Sequence, residues 1–145
     1  MIKELKSYSF KIVAQRDKSL VLYDAENKLI EIQENGYVDM LTAKTLRETA
    51  TEHIAKYDVN KLLLNRRWLG ECSKDARKWI INEYYKGQKQ LLNEQIELVA
   101  TIKPIDSIGG IYAHLLSTNL KIFLPTVTLV DFDQEADAMG WLLDL

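Results

Sequence analysis

The segment Asn65-Arg66-Arg67-Trp68-Leu69-Gly70 concentrates the recognition chemistry of this chain. Paired arginines fork onto carboxylate or phosphate groups, and a tryptophan supplies an aromatic wall. The plainer alternative is a solvated arginine pair with Trp68 lying over a sheet edge. Cys72 and Ser73 follow at once. A serine in front of a helical pattern is first of all an N-cap, and a thiol near a helix N-terminus can have its pKa lowered. Neither histidine adjoins Cys72 in sequence, so a nucleophilic pair is not visible. His53 and His114 also lack a second His, Cys or carboxylate at metal-ligand spacing. Asp131, Asp133, Glu135 and Asp137 form an acidic run, but a strand-to-helix junction wants such residues, and the loop glycine of a calcium hand is missing. Gly109-Gly110 is too little for a phosphate-binding fingerprint and reads better as close packing or an adjusted helix start. Trp79, Tyr84 and Tyr85 share one helical segment; Tyr85, if exposed, joins Trp68 in a partner-binding patch.

The elements that must position these groups follow from periodicity. Ser9–Val13 reads as an edge strand or arm, and residues 1–18 as a whole are left as one or the other. Leu20–Tyr23 and Leu29–Ile32, joined by the polar Asp24-Ala25-Glu26-Asn27, read as an antiparallel hairpin. Asn35-Gly36 then marks a turn or bulge. From Thr42, read as a cap, Ala43, Leu46, Ala50, Ile54 and Tyr57 recur at helical spacing. Lys61–Leu64 is a short apolar run of the kind buried on both faces of a sheet. Ser73 caps a second helix with Ala76, Trp79, Ile80 and Tyr84 as its inner stripe and Gly87 near its end. Ile96–Ile102 is the next strand. Ser107 opens a third helix with Ile108, Ile111, Tyr112 and Leu115 on one face. Val127–Val130 is the last strand, and Asp133 caps the last helix. A hairpin followed by strand–helix alternation predicts an α/β fold: a mixed, mostly parallel sheet with about four helices.

Composition sets outer limits. The chain has 145 residues, 47% hydrophobic and 28% charged, with 19 Lys plus Arg against 21 Asp plus Glu. That is a single globular domain, 1–145, able to bury a real core without bridges or metals. A formal charge of −2 lacks the basic excess of a nucleic-acid binder. No apolar stretch approaches the ~20 residues needed to cross a bilayer, no signal peptide is visible, and one cysteine permits a reducing compartment. The expectation is a cytoplasmic protein.

The layout resembles the SpoIIAA-like, or STAS/SEC14-type, small bacterial domains. The likeness rests on Tyr23–Ile30 in the hairpin, Lys61–Trp79 in the middle, and Asp131–Leu142, a helix ending in Trp141-Leu142. It covers most of the chain from Leu20 onward. The resemblance implies a non-enzymatic protein-interaction or regulatory domain with no cofactor, a protein partner or a second copy of itself, and no nucleic acid or membrane insertion. SEC14-type relatives imply the alternative, a carrier of small apolar or anionic ligands. The wider group is switched by phosphorylation of a serine opening the helix after a central strand. Ser73 stands nearest that place, although Glu71-Cys72-Ser73-Lys74 departs from the group's Asp-Ser pattern. The partner- or ligand-binding residues expected are therefore Arg66, Arg67, Trp68, Ser73 and Tyr85.

Overall fold

A computed structural model describes residues 9–144. Among the described residues there are eight strands: β1 Lys11–Arg16, β2 Ser19–Asp24, β3 Leu29–Gln33, β4 Gly36–Val38, β5 Lys61–Asn65, β6 Leu69–Cys72, β7 Leu98–Ile102 and β8 Thr128–Phe132. The helices are α1 Met40–Lys56, α2 Lys74–Trp79, α3 Lys86–Gln95, α4 Ser107–Phe123 and α5 Glu135–Leu143. A π-helical turn, Ile80–Tyr85, joins α2 to α3. Six strands form one sheet in the order β1-β2-β3-β5-β7-β8, antiparallel through β3 and parallel from there on. The expected mixed α/β architecture is present, with Lys11–Arg16 as the edge strand. Residues 1–8 of the expected arm lie outside the described residues.

The sheet sorts its side chains by the two-residue period of a strand. Ile30, Ile32, Leu62, Leu64 and Val99 face α1, the α2–α3 segment and α4. Leu29, Leu63, Ala100 and Ile102 face Ala138, Met139 and Leu142 of α5. The central strands are thus buried on both faces, as the run Lys61–Leu64 predicts.

Several boundaries differ from the sequence expectation. The cap of α1 is Asp39, whose carboxylate accepts from the Thr42 amide at 2.8 Å. An ionised carboxylate is a stronger acceptor than the Thr42 hydroxyl, and Thr42 itself is buried inside the first turn. Asn35-Gly36, read as a turn or bulge, falls at such an irregularity but leads into a further strand. Gly36, at φ +69°, begins β4 at a register irregularity, and β4 pairs in parallel with β6 as a second small sheet. Part of the expected Arg66–Gly70 loop is therefore strand. Gly87 does not stop its helix, because the π turn carries the chain onward to Gln95, where Gln95 Nε2 donates to the Tyr57 carbonyl at 3.0 Å. Ser107 does open α4, and the cap before it is Asp106, accepting from the amides of Ile108 and Gly109 at 2.8 and 3.1 Å. Asp133 does not cap α5. Gln134 holds that position without a side-chain bond, and Asp133 lies 3.5 Å from Lys103 instead.

The largest difference concerns the rotation of α4. Ile108, Ile111 and Leu115 are exposed, while Gly109, Ala113, Leu116, Ser117 and Leu120 face inward. Gly109 explains the choice. A Cβ at this position would stand 1.9 Å from the Leu69 carbonyl oxygen, so only glycine lets α4 lie flat on β6. That contact turns the isoleucines outward.

Candidate functional site

β5 ends at Asn65, and the chain then turns inward. Arg66 is 1% exposed. Its Nε donates to Glu34 Oε1 at 3.0 Å and its Nη1 to Ser117 Oγ at 3.1 Å. Glu34, fully buried just past β3, takes a second guanidinium through Arg47 Nη2 at 3.0 Å from α1. Burial favours the neutral acid, but the two arginines outweigh it and hold the Glu34 carboxyl at about 2. Two guanidiniums face one carboxylate, so this buried cluster carries an excess positive charge. Arg47 Nη1 and Arg66 Nη2 have no hydrogen-bond partner. The Tyr85 hydroxyl lies close enough to interact with Arg66 but does not complete a bond to Nη2, and burial raises its pKa.

Above Arg66 opens a cleft of about 400 Å³ between α4 and the carboxyl ends of β7 and β8. Lys103, His114, Ser117, Thr118 and Lys121 line it with Arg66, and Asp131 supplies a carboxylate. The carboxyl edge of a parallel sheet is where open α/β folds commonly place ligands. On the opposite face of the sheet a second polar group gathers. Gln33 and Asn65 both donate to Glu31 Oε2, at 2.9 and 3.0 Å, and Asn65 Nδ2 also reaches Glu135 Oε1 at 3.4 Å.

Outward from the cleft lies an apolar surface. Ile108, Ile111, Leu115 and Ile122 recur at i, i+3, i+7 and i+14 and so fall on one stripe of α4, roughly 21 Å long at the helical rise. Ile111 and Ile122 are each 68% exposed. The Ile105 amide donates to the Arg67 carbonyl at 3.1 Å, which sets exposed Ile105 beside the Arg67–Trp68 segment. Trp68 is 60% exposed, with the Arg67 guanidinium 5.4 Å from its ring centroid.

The sequence candidates therefore separate. Arg67 and Trp68 are at the surface. Arg66 points inward and forms the cleft wall, and Tyr85, at 3% exposure, is packed in the core near Phe123, so neither belongs to a surface face. Tyr85 is buried because the π turn rotates it inward and leaves Tyr84, half-buried, to exchange a hydrogen bond with Thr51 at 2.7 Å. Ser73 caps α2, its Oγ accepting from the Ala76 amide at 3.2 Å. Cys72 is buried, and burial pushes its thiol up to about 11, the reverse of an activated nucleophile. His53 packs against the stacked rings of Tyr23 and Tyr57, with Nδ1 2.9 Å from the Thr49 carbonyl. Among the described residues no three His, Cys, Asp or Glu side chains are placed to hold a metal ion, and no helix is long and apolar enough to cross a membrane. Glu34, Arg47, Lys103, Lys121 and the outward direction of the α4 stripe escaped the sequence reading.

The fold places the chain in a known structural class. It is similar over 92% of its length to a crystal structure of an uncharacterised DUF3478-family protein with a SpoIIAA-like fold from Shewanella loihica, at 14% identity, 91% coverage of that chain and TM-score 0.54. It is likewise similar to the anti-sigma factor antagonist SpoIIAA in its unphosphorylated form, at 13% identity, with 94% of this chain and 99% of that one covered and TM-score 0.55. The fold is SpoIIAA-like, of the STAS type. No family model matches the chain, and no curated protein matches it in sequence.

Proposed function

We propose that the chain is a non-enzymatic regulatory domain of the STAS type that binds a protein partner along α4. The observation carrying this reading is the aliphatic stripe Ile108–Ile111–Leu115–Ile122, continued by Ile105 and Trp68. Contiguous apolar surface of this kind on a soluble domain marks a contact site. Its rim favours an acidic partner surface: Arg67 sits against Trp68, Arg77 lies 4.8 Å from the Tyr112 ring, and Lys103 is exposed nearby in sequence. The core of the stripe carries no charge, as the centre of a protein interface requires. The occupant proposed is a second, different protein presenting an apolar helix face with an acidic border. Likeness to an anti-sigma factor antagonist supports a regulatory partner as the kind to expect. Ser73, half-buried at the start of α2, stands as the proposed phosphorylation point of such regulation.

The test places a photoreactive amino acid at position 111 and, as a control, at exposed Gln90. Crosslinking to one acidic protein at fixed stoichiometry from position 111, abolished by Ile108→Glu, supports the reading. Crosslinking between two copies of the chain replaces the proposed partner with a homodimer. Equal labelling at both positions contradicts it. The cleft above Arg66 favours a second reading, binding of a small ligand.

A further inference from the structure

We propose that the cleft between α4 and the carboxyl ends of β7 and β8 is a binding site for a small phosphate monoester. The inference deepens the small-ligand reading and is independent of the α4 stripe. Its basis is an excess of buried positive charge around Glu34. Arg66 and Arg47 confront a single buried carboxylate, Glu34, and Arg66, which lines the cleft, brings the positive charge of this buried cluster to its floor; Arg47 lies behind it. One nitrogen of each guanidinium is unpartnered and buried. Such an excess is costly inside a protein unless an anion stands close by.

The lining supplies what an anion would need. Lys103 and Lys121 reach the cleft from opposite walls, one just past β7 and the other on the last turns of α4. Lys103 approaches Asp133 at 3.5 Å, but both are largely exposed, so the pair is weak and exchangeable. Asp131, the one carboxylate of the lining, already accepts the Thr101 hydroxyl. Ser117 Oγ accepts from Arg66 Nη1, which turns its own hydroxyl proton away from the arginine and leaves it to donate. Thr118 and His114 add further polar contacts on the same face of α4. Three cations with a hydroxyl donor suit a tetrahedral dianion better than a planar carboxylate, which one arginine fork would satisfy. Pro104 and Ala113 offer apolar surface to the rest of the molecule, and about 400 Å³ holds a phosphate with a ring-sized body.

Amide spectra of the ¹⁵N-labelled chain, titrated with inorganic phosphate, phenyl phosphate and the neutral benzyl alcohol, test this. Saturable shifts are expected at Gly110, Ser117 and Thr118, with phenyl phosphate binding more tightly than phosphate. Lys103→Gln and Lys121→Gln, both at exposed positions, should each weaken phenyl phosphate by about tenfold with the rest of the spectrum unchanged. If benzyl alcohol binds as tightly as phenyl phosphate, the anion specificity is overturned and the small-ligand reading survives. If none of the three shifts these amides, both are overturned. Shifts that the lysine substitutions leave unaltered place the anion elsewhere and also overturn the proposal.

Discussion

Glu34 sits in a turn-like Glu-Asn-Gly sequence, yet its carboxylate holds two arginines, 13 and 32 residues away along the chain. Replacing it removes the carboxylate that a buried pair of guanidiniums shares, so Glu34→Gln should cost about 3–5 kcal/mol. Arg47→Met leaves one carboxylate with one arginine, a neutral pair, and should cost less than half as much; urea denaturation of the two variants decides. The acid side of the stability profile carries the same signature. The Glu34 carboxyl lies at about 2, below its ordinary 4.5. A depressed carboxyl stabilises the fold fully above its ordinary value, and that stabilisation is lost as pH falls toward 2. The amount is on the order of 3 kcal/mol, and Glu34→Gln should show a flatter profile through this window. At Cys72 the shift runs the other way. Burial raises the thiol to about 11, so iodoacetamide should label it at neutral pH much more slowly than free cysteine. Equal rates would mean that the thiol is open to solvent. None of this is legible in the sequence, because the two partners of Glu34 come from separate segments, α1 and the end of β5, and only folding brings them together.

The elements themselves were largely readable. The hairpin, the buried run Lys61–Leu64, the Ser73 cap and the alternation of strands with helices follow from period and local hydrogen bonding. What escaped was decided by contacts between elements. The short β4–β6 pair is three or four residues on each side and has no pattern of its own. The outward turn of the α4 isoleucines is fixed by Gly109 against the Leu69 carbonyl, a contact between distant segments. Apolar spacing shows that a stripe exists, but not whether it faces the sheet or the solvent. Glycine substitutions test this explanation directly. Gly109→Ala should cost about 3 kcal/mol, since the obstructing atom is backbone and cannot swing away. Gly87→Ala, where a Cβ meets nothing within 4 Å, should instead stabilise the chain by about 0.5–1 kcal/mol. Thermal melts of the pair separate a packing glycine from an incidental one; equal effects would contradict the account of how α4 is seated.

The molecule as a whole keeps its two candidate sites on different sides of one helix. The inward flank of α4, with Ser117 and Lys121, borders the charged cleft, and the outward flank, with Ile111 and Ile122, borders solvent. A formal net charge of −2 conceals this separation, because the two buried arginines sit together at Glu34 while the buried carboxylates Asp24 and Glu31 stand elsewhere in the sheet. The SpoIIAA-like fold supplies the frame, and the α4 stripe is what the regulatory reading depends on. Photocrosslinking from position 111 tests that dependence most directly. The account predicts one acidic protein attached at fixed stoichiometry, lost in Ile108→Glu and absent from the Gln90 control. Adducts as abundant from position 90 as from position 111, or adducts that persist in Ile108→Glu, would contradict it.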